Sequence, residues 1–527
     1  MTSVATGHET REVAPFTNEP LTDFSRPEHA AAQEAALKRA AEEFGKTYPL
    51  VIGGTERVSE QIFASINPAH PDQVVARFAS ATVAEANEAV EQASAYFKTW
   101  SSVPVEQRAQ YVLDAAAKLR ERRFDFNAYL IYEVGKSWVE ADADIAEAID
   151  FCEFYAREAL RIGGNQPLHP ITGEKNFLRY IPLGVGVVIP PWNFAAAIMI
   201  GLTTSALVTG NTVVLKPAST AAWIAAKFVE LLYEVGVPKA AVSLVTGSGG
   251  VVGDALVQHP LTRFVSFTGS REVGLRINEL AAKPQAGQKW IKRAVLEMGG
   301  KDSIVVDESA DLDAAATAIV VSAFGFQGQK CSACSRAIIT ADVYDQVLDK
   351  VVEKTKTLSL GDTTSQATYM GPVIDENAYK KILGYIEKGK TEGRLLIGGA
   401  TPAREGYFIE PTVIADVSPT ATIAQEEIFG PVLAVIKAKD FDEAMEIANN
   451  TDYGLTGSFF SRLPDRIERA EREFFVGNFY VNRKSTGAMV GAHPFGGFNM
   501  SGTDSKAGGQ DYLLLFTQGK AISEKVG

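Results

Sequence analysis

The chain has 527 residues, which is too long for a single hydrophobic core and favours three or four structural units. Its 46% hydrophobic and 22% charged residues are typical of a packed globular protein and exclude extensive disorder. The net charge of −13 repels phosphate groups, so neither nucleic acid nor an anionic membrane surface is expected as a partner.

The N-terminal third predicts helices and one hairpin. Residues 1–50 are interpreted as an arm that ends in a helix stopping at Gly45. Residues 82–160 carry apolar side chains at three- and four-residue spacing, which predicts amphipathic helices. Residues 166–184 place turn residues between short β-type runs and predict a hairpin that projects from the body.

An uncharged run at 181–215 is long enough to cross a bilayer. Pro190 and Pro191 interrupt it, however, and the pattern favours a buried strand, a loop and a buried helix. The N-terminus is polar and lacks an apolar stretch of signal-peptide type. The chain has three cysteines, Cys152, Cys331 and Cys334, which fits a reducing compartment, and a cytoplasmic location is expected.

Two series of short apolar strands alternate with helical patterns. The first series spans about 183–296 and the second about 302–480. Such alternation predicts two doubly wound, mostly parallel sheets with a cleft between them. We assign residues 51–165 with 185–296 to the first domain and residues 297–499 to the second.

A glycine-rich turn follows one strand of the first series. The spacing Gly247-x-Gly249-x-x-x-Gly253 would let the backbone approach a phosphate at a helix N-terminus, although it is one residue longer than the usual dinucleotide motif. By itself such a turn is more often a plain connection. A second turn with Ser270 at a helix start, and Lys216 at a strand end, make a nucleotide site the favoured interpretation.

Cys331 follows small and polar residues in a predicted loop or helix start. A helix N-terminus and the adjacent Lys330 would stabilise a thiolate there. The pair Cys331 and Cys334 also fits buried structural thiols, a redox pair or half of a zinc site. The zinc alternative is disfavoured because no second cysteine pair and no ligand-type histidine spacing exist, so no metal is expected.

Glu297 precedes a Gly-Gly turn at the junction of the two predicted domains. A carboxylate in a partly apolar cleft can have its pKa raised toward neutrality and act as a general base. A capping or salt-bridged glutamate is the alternative.

Eight motifs give these residues a common context: IPPWNF, KPAS, FTGS, LEMGGK, GQKCSACSR, MGPVID, EEIFGPV and PFGG. In order and spacing over about residues 180–500 they resemble the aldehyde dehydrogenase superfamily. The resemblance implies an α/β fold with two doubly wound α/β domains, a Rossmann-type NAD(P)-binding domain and a catalytic domain. It also implies a β-hairpin oligomerisation flap, made of residues 166–184 with 500–527, and a homo-oligomer built from dimers.

The resemblance implies that Cys331 attacks a small-molecule aldehyde and forms a thioester. Asn193 and the Cys331 N–H would form the oxyanion hole, and Glu297 would activate the water that releases the acid. Retention of Glu297 argues against the CoA-acylating branch. NAD is the expected cofactor, and the residues expected to bind it are Pro190, Trp192, Lys216, Ser219, Gly249, Gly253, Ser270, Glu427 and Phe429. Many NAD-specific members have Glu where Ser219 stands, which leaves NADP use open.

The segment around Gly487 and Ala488, with Ser332 after the nucleophile, resembles the L-glutamate-γ-semialdehyde (1-pyrroline-5-carboxylate) dehydrogenases, which act in proline degradation. There, a serine hydroxyl and two backbone amides of such a loop bind the substrate α-carboxylate, and Phe194 and Phe495 would flank its aliphatic chain. An acidic residue among 140–150 would meet the ammonium group. The alternatives are another semialdehyde, such as succinic or aminoadipic, or a non-catalytic protein on the same scaffold. The presence of all three catalytic residues disfavours the second.

Overall fold

A computed structural model describes residues 2–6 and 9–526 of the chain. The helices are α1 (Pro27–Ala41), α2 (Val83–Ser101), α3 (Val105–Glu121), α4 (Arg123–Val134), α5 (Trp138–Ile162), α6 (Ala197–Val208), α7 (Ala222–Glu234), α8 (Asp254–Gln258), α9 (Arg271–Ala282), α10 (Leu312–Phe324), α11 (Tyr344–Lys356), α12 (Glu376–Glu392), α13 (Thr422–Gln425), α14 (Phe441–Asn449) and α15 (Pro464–Glu473).

The strands are β1 (Thr2–Thr6), β2 (Glu9–Val13), β3 (Thr47–Tyr48), β4 (Leu50–Ile52), β5 (Thr55–Arg57), β6 (Ile62–Asn67), β7 (His70–Ala79), β8 (Gln166–Pro167), β9 (Glu174–Pro182), β10 (Val185–Ile189), β11 (Thr212–Leu215), β12 (Val242–Leu244), β13 (Thr262–Thr268), β14 (Arg293–Glu297), β15 (Ser303–Val306), β16 (Arg336–Thr340), β17 (Arg394–Ile397), β18 (Thr412–Ala415), β19 (Val432–Ala438), β20 (Tyr453–Gly454), β21 (Thr456–Phe460), β22 (Asn478–Val481), β23 (Phe498–Asn499) and β24 (Thr517–Lys525).

The first large sheet has the order β14-β13-β10-β11-β12-β4-β5. Its first five strands are parallel, and β4 and β5 add an antiparallel edge. Both faces of the sheet are covered. Side chains alternate between the two faces along a strand, so neighbouring residues enter different buried clusters. On β10, Val187 joins a buried cluster with residues of α2, α8 and α9, whereas Val188 joins the cluster that contains α3 to α7.

The second large sheet has the order β17-β18-β19-β16-β15-β21-β22, and every strand except β17 is parallel to its neighbour. Its faces are also both buried. Ile304 and Val306 of β15 pack with residues of α10 and α11, and Val305 packs with residues of α12 and α14. The prediction of two doubly wound, mostly parallel α/β sheets is therefore confirmed.

A three-stranded antiparallel sheet, β24-β9-β8, contains the predicted hairpin at 166–184. The strand that completes it is β24, which pairs along its whole length with β9. Residues 500–516 do not join this sheet. They pack instead against the main body, where Tyr512 and Phe516 are buried in the same cluster as α5 and α6. The domain boundaries assigned from the sequence stay a prediction.

Several local features follow from the sequence. Helix α2 begins at a capping box, in which the Thr82 hydroxyl accepts from the Glu85 N–H and the Glu85 carboxylate accepts from the Thr82 N–H. The arm carries α1 close to where a helix was predicted, and Gly45 adopts a positive φ of 77° after it. The uncharged run at 181–215 is divided between β10, a loop, α6 and β11. Across the described residues, no helix combines the length and the apolar character needed to cross a membrane.

We predict that Gly186→Ala destabilises the first sheet. Gly186 of β10 lies opposite Phe264 of β13, and a Cβ atom at this position would overlap the Phe264 ring. Overpacking of this kind costs about 1–3 kcal/mol, so the unfolding temperature should fall, as measured by thermal or urea denaturation. Gly164→Ala is the matched control, because in the part of the chain that the structure describes no neighbouring atom lies within 4 Å of a Cβ there. Equal stability of the two variants would contradict the prediction.

Candidate active site

Two cavities meet at Cys331. The first is lined mostly by apolar side chains. Seven of the site residues predicted from the sequence line it: Phe194, Glu297, Cys331, Ser332, Gly487, Ala488 and Phe495. Eight of the predicted site residues line the second: Pro190, Trp192, Asn193, Lys216, Ser270, Cys331, Glu427 and Phe429.

The loop before Cys331 has an unusual backbone. Phe326, Gln327 and Gly328 have φ values of 47°, 56° and 67°, and the two non-glycine residues cost roughly 1–2 kcal/mol each in this region. The Gln327 amide offsets part of this strain, because Nε2 donates to the carbonyls of Gly135 (3.1 Å) and Pro372 (2.8 Å). Only glycine fits at 328, where a Cβ would overlap a neighbouring carbonyl.

The surroundings of Cys331 keep its thiol protonated. Burial raises the pKa of Cys331 well above its ordinary value, and the carboxylates of Asp302, Glu427 and Glu297 raise it further. The expected stabilisation of a thiolate by a helix N-terminus and Lys330 is wrong. Cys331 lies in a turn, and Lys330 Nζ forms an ion pair with Glu140 at 2.7 Å.

Asn193 lies beside the Cys331 loop. Its Nδ2 donates to the Gln329 carbonyl at 3.0 Å, which uses one of the two N–H bonds of the buried amide and fixes its orientation. Within residues 13–526 the Cys331 N–H donates to no acceptor. One Asn193 N–H and the Cys331 N–H are thus the donors available for an oxyanion near the sulfur.

Glu297 ends β14 and faces the first cavity. Its carboxylate accepts from the Ser505 hydroxyl (2.7 Å), the Ser505 N–H (3.3 Å) and the Gly497 N–H (3.1 Å). Burial raises the pKa of Glu297 to about 7, although these hydrogen bonds oppose the shift. The side chain therefore exchanges a proton near neutral pH, as a general base requires.

One face of α5 forms a wall of the first cavity that the sequence did not identify. Glu147, Phe151 and Tyr155 are spaced by four residues and line the cavity together. Tyr155 stacks on Phe151 and on Tyr512, with ring centroids 5.3 Å apart in both pairs. Helical periodicity predicts a shared face for these residues, but only the packing of α5 decides what that face meets.

The acidic residues of 140–150 can now be separated. Four already have partners: Glu140 with Lys330, Asp142 with Arg123, Asp144 with Lys136, and Asp150 with Asn18 and Glu19. Glu147 is the acidic residue of this segment that lines the first cavity. Burial and the nearby Asp144 raise the pKa of Glu147 to about 8.

Lys136 supports the cavity wall from behind. Its ammonium is fully buried, pairs with Asp144 at 3.1 Å and lies 4.3 Å from the centre of the Phe194 ring and 4.5 Å from that of Phe326. Asp144 also accepts from the Ala197 N–H at 2.7 Å. One cation thus fixes Phe194 relative to the loop before the nucleophile.

Ser332 and the loop at 485–488 are adjacent. The Ser485 hydroxyl donates to the Ser332 carbonyl at 3.1 Å. Gly487 has a φ of 76°, which strains any other residue, and a Cβ there would also press on the Lys484 side chain. Gly487 and Ala488 are held near the nucleophile by these contacts, and both line the first cavity.

The second cavity has an aromatic corner and several polar groups. Trp192 and Phe429 meet edge to face, with ring centroids 5.5 Å apart. Glu427 accepts from the Gly300 N–H at 3.0 Å. Lys216 Nζ is buried and donates only weakly to the Pro217 carbonyl at 3.4 Å, and burial lowers the pKa of Lys216 to about 8.

Three predicted cofactor residues line neither cavity. Ser219 is exposed and begins a short 3-10 turn three residues after Lys216, which itself follows the end of β11. Gly249 and Gly253 begin and end a π-helical turn before α8. Gly253 lies next to Lys216, since a Cβ on it would be 3.7 Å from the lysine stem, whereas Gly249 has open space around it.

Comparison with known proteins places this geometry in a family. The sequence model of the aldehyde dehydrogenase family matches residues 55–522 of the chain. The chain belongs to the aldehyde dehydrogenase family. A 1-pyrroline-5-carboxylate dehydrogenase of Geobacillus kaustophilus is 58% identical to this aldehyde dehydrogenase over 512 residues, which are 97% of this chain and 99% of that protein.

Two solved structures resemble this aldehyde dehydrogenase. The 1-pyrroline-5-carboxylate dehydrogenase from Thermus with bound NAD has a TM-score of 0.96 and 51% identity, covering 98% of this chain and 100% of that one. Betaine aldehyde dehydrogenase from Staphylococcus aureus in complex with NAD+ has a TM-score of 0.88 and 29% identity, covering 94% and 98%.

We predict that Cys331 of this aldehyde dehydrogenase reacts slowly with iodoacetamide at neutral pH. Because the pKa of the thiol is raised, the reactive thiolate fraction grows as pH rises and should still be growing above pH 9. Mass spectrometry of the labelled peptide gives the rate at each pH. Cys152 and Cys334 are buried and serve as internal controls. A rate that levels off below pH 8 would contradict the raised pKa.

We predict that Ser505→Ala moves the pH dependence of acyl-enzyme hydrolysis to higher pH. The Ser505 hydroxyl lowers the pKa of Glu297, so its loss raises that pKa above about 7, and the basic carboxylate then forms only at higher pH. Rapid-quench measurement of a preformed acyl-enzyme between pH 6 and 9 tests this. Glu297→Gln should hydrolyse slowly at every pH. An unshifted profile in Ser505→Ala would refute the contribution of the hydroxyl.

Proposed function

We propose that this aldehyde dehydrogenase oxidises L-glutamate γ-semialdehyde, the open form of 1-pyrroline-5-carboxylate, to L-glutamate with NAD, as a step of proline degradation. One observation carries the proposal. The apolar cavity that ends at Cys331 contains, besides Glu297, one acidic side chain, Glu147, and a turn at Gly487 and Ala488 whose N–H groups donate to no acceptor in residues 13–526. The Glu147 carboxyl group, whose raised pKa an adjacent ammonium would lower, and a set of N–H donors match the ammonium and carboxylate of an α-amino acid.

The relatives support the same substrate, because the names of the Geobacillus and Thermus proteins specify 1-pyrroline-5-carboxylate. The aliphatic part of the substrate would lie against Phe194 and Phe495, which line the cavity between the polar groups. Ser332 Oγ makes no hydrogen bond within the described part of the chain, so it is available to the substrate carboxylate.

The second cavity fits a nicotinamide dinucleotide. Its polar groups are a buried, poorly partnered ammonium on Lys216, a helix N-cap hydroxyl on Ser270 and the carboxylate of Glu427. These suit ribose hydroxyls and a phosphate near a helix N-terminus. When bound, the cofactor supplies the hydride acceptor. The exposed Ser219 places no carboxylate at the turn after Lys216 that would repel the 2′-phosphate of NADP. The proposal therefore includes NADP as an alternative to NAD.

The residues of the chain perform the remaining chemistry. Cys331 releases its proton to solvent, the sulfur adds to the aldehyde carbon, and the electron pair of the C=O π bond moves to the oxygen. The N–H groups of Asn193 and Cys331 stabilise the negative oxygen that develops. Once the carbon has been oxidised to a thioester on the sulfur, Glu297 takes a proton from water, and the resulting hydroxide displaces the thiolate and releases the carboxylic acid.

We further propose a cytoplasmic homo-oligomer built from dimers. The three cysteines are free thiols, which fits a reducing compartment. Among the described residues, strand β24 pairs with β9 on one side and with no strand on the other, so that its free edge can pair with a second copy.

Three aldehydes of equal chain length test the proposed substrate. Glutamate semialdehyde carries both charged groups, 5-oxopentanoate carries the carboxylate alone, and pentanal carries neither. The value of kcat/KM should fall in this order. Comparable rates on pentanal would remove the proposed substrate while leaving the aldehyde chemistry intact.

We predict that Glu147→Gln raises KM for glutamate semialdehyde roughly 10-fold or more, the typical effect of losing a hydrogen bond between charged groups. Its KM for 5-oxopentanoate should stay the same or fall, since that substrate has no ammonium. Steady-state kinetics on both substrates measures this. Equal effects on the two would mean that Glu147 does not meet the ammonium group.

A further inference from the structure

We propose that Arg483 is a positioning residue for substrate selection. It binds the carbonyls of Thr486 and Gly487 and thereby directs the N–H groups of Gly487 and Ala488 toward the substrate carboxylate. The inference rests on the proposed function, because it concerns recognition of the α-carboxylate. Arg483 does not line the first cavity and acts only through the loop.

The geometry follows from two hydrogen bonds. Arg483 Nη2 donates to the Gly487 carbonyl at 2.7 Å and to the Thr486 carbonyl at 3.4 Å. In a trans peptide the C=O and the following N–H point in opposite directions. The Thr486 carbonyl shares a peptide bond with the Gly487 N–H, which therefore faces away from the guanidinium. The Gly487 carbonyl shares the next peptide bond with the Ala488 N–H, which faces away for the same reason.

The two N–H groups are free. Neither the Gly487 N–H nor the Ala488 N–H donates to an acceptor in the described residues, although both residues line the cavity that contains Cys331. The positive φ of 76° at Gly487 turns the backbone so that consecutive N–H groups can converge. Together they form an anion-binding turn without a charged side chain beside the thiol.

Arg483 itself is held in place. Its guanidinium lies 4.3 Å from the centre of the Tyr480 ring, and the Tyr480 ring meets His493 edge to face at 5.8 Å. Arg483 Nη1 is buried, and the ion pairs of the described residues do not include Arg483. Its charge is therefore not neutralised locally, so it polarises the two peptide groups and favours an anion on their far side.

Three variants separate orientation from charge. Arg483→Met keeps the aliphatic stem and removes both hydrogen bonds. Arg483→Lys keeps the charge but replaces the planar guanidinium, which lies on the Tyr480 ring and reaches both carbonyls through Nη2, with a more mobile ammonium. Lys484→Met is the matched control, because Lys484 is the neighbouring cation, packs its stem near Gly487 and donates no hydrogen bond to the loop carbonyls.

We expect Arg483→Met and Arg483→Lys to raise KM for glutamate semialdehyde and for 5-oxopentanoate roughly 10-fold or more, with kcat changed less than about twofold. KM for pentanal and the unfolding temperature should match those of the wild type. Lys484→Met should change KM for each aldehyde by less than about twofold.

Three outcomes would overturn the inference: a KM increase for pentanal equal to that for the carboxylate substrates, a wild-type KM in Arg483→Lys, or an equal effect of Lys484→Met. The first would indicate a general structural role, and the other two a role of charge alone. Failure of the proposed function is distinguishable, because the wild-type enzyme would then show no preference for 5-oxopentanoate over pentanal.

Discussion

The sulfur of Cys331 has to face two cavities at once, and the loop at 325–331 achieves this by three consecutive residues with positive φ. The turn is strained at Phe326 and Gln327, and it persists because neighbouring elements hold it. Gln327 is bound by carbonyls from two other segments, and Lys136 lies between the Phe326 and Phe194 rings. Phe194 in the wall of the first cavity and the loop before Cys331 are thus fixed by the same contacts.

Burial sets the proton chemistry of the site. Desolvation raises the pKa values of Cys331 and Glu297 together, and the surrounding carboxylates add to the effect on the thiol. The resting site therefore holds a neutral thiol and a carboxyl group that titrates near neutrality. Recognition of the substrate carboxylate by backbone N–H groups is consistent with this arrangement. A cation in the cavity would have shifted both pKa values downward, whereas Arg483 acts from behind the peptide groups.

Much of the architecture could be read from the sequence because it depends on local periodicity. The strands of both series, the helices of 82–160 and the hairpin at 166–184 occur where apolar spacing and turn residues predicted them. Strands β6, β7 and β14 were not predicted from the sequence. The motif resemblance supplied Cys331, Asn193 and Glu297, and the structure brings them to one point from two sheets.

The sequence alone was therefore enough to identify the candidate site residues: a cysteine after a Gly-rich loop, a glutamate at a domain junction and a glycine turn near the C-terminus. Tertiary structure decided which groups are free to act. Four of the five acidic residues of 140–150 are bound by partners outside that segment, so the fifth, Glu147, is the one that lines the first cavity, and Lys330 pairs with Glu140. Such pairings join residues far apart in the chain, and their energies depend on burial, which no local pattern encodes.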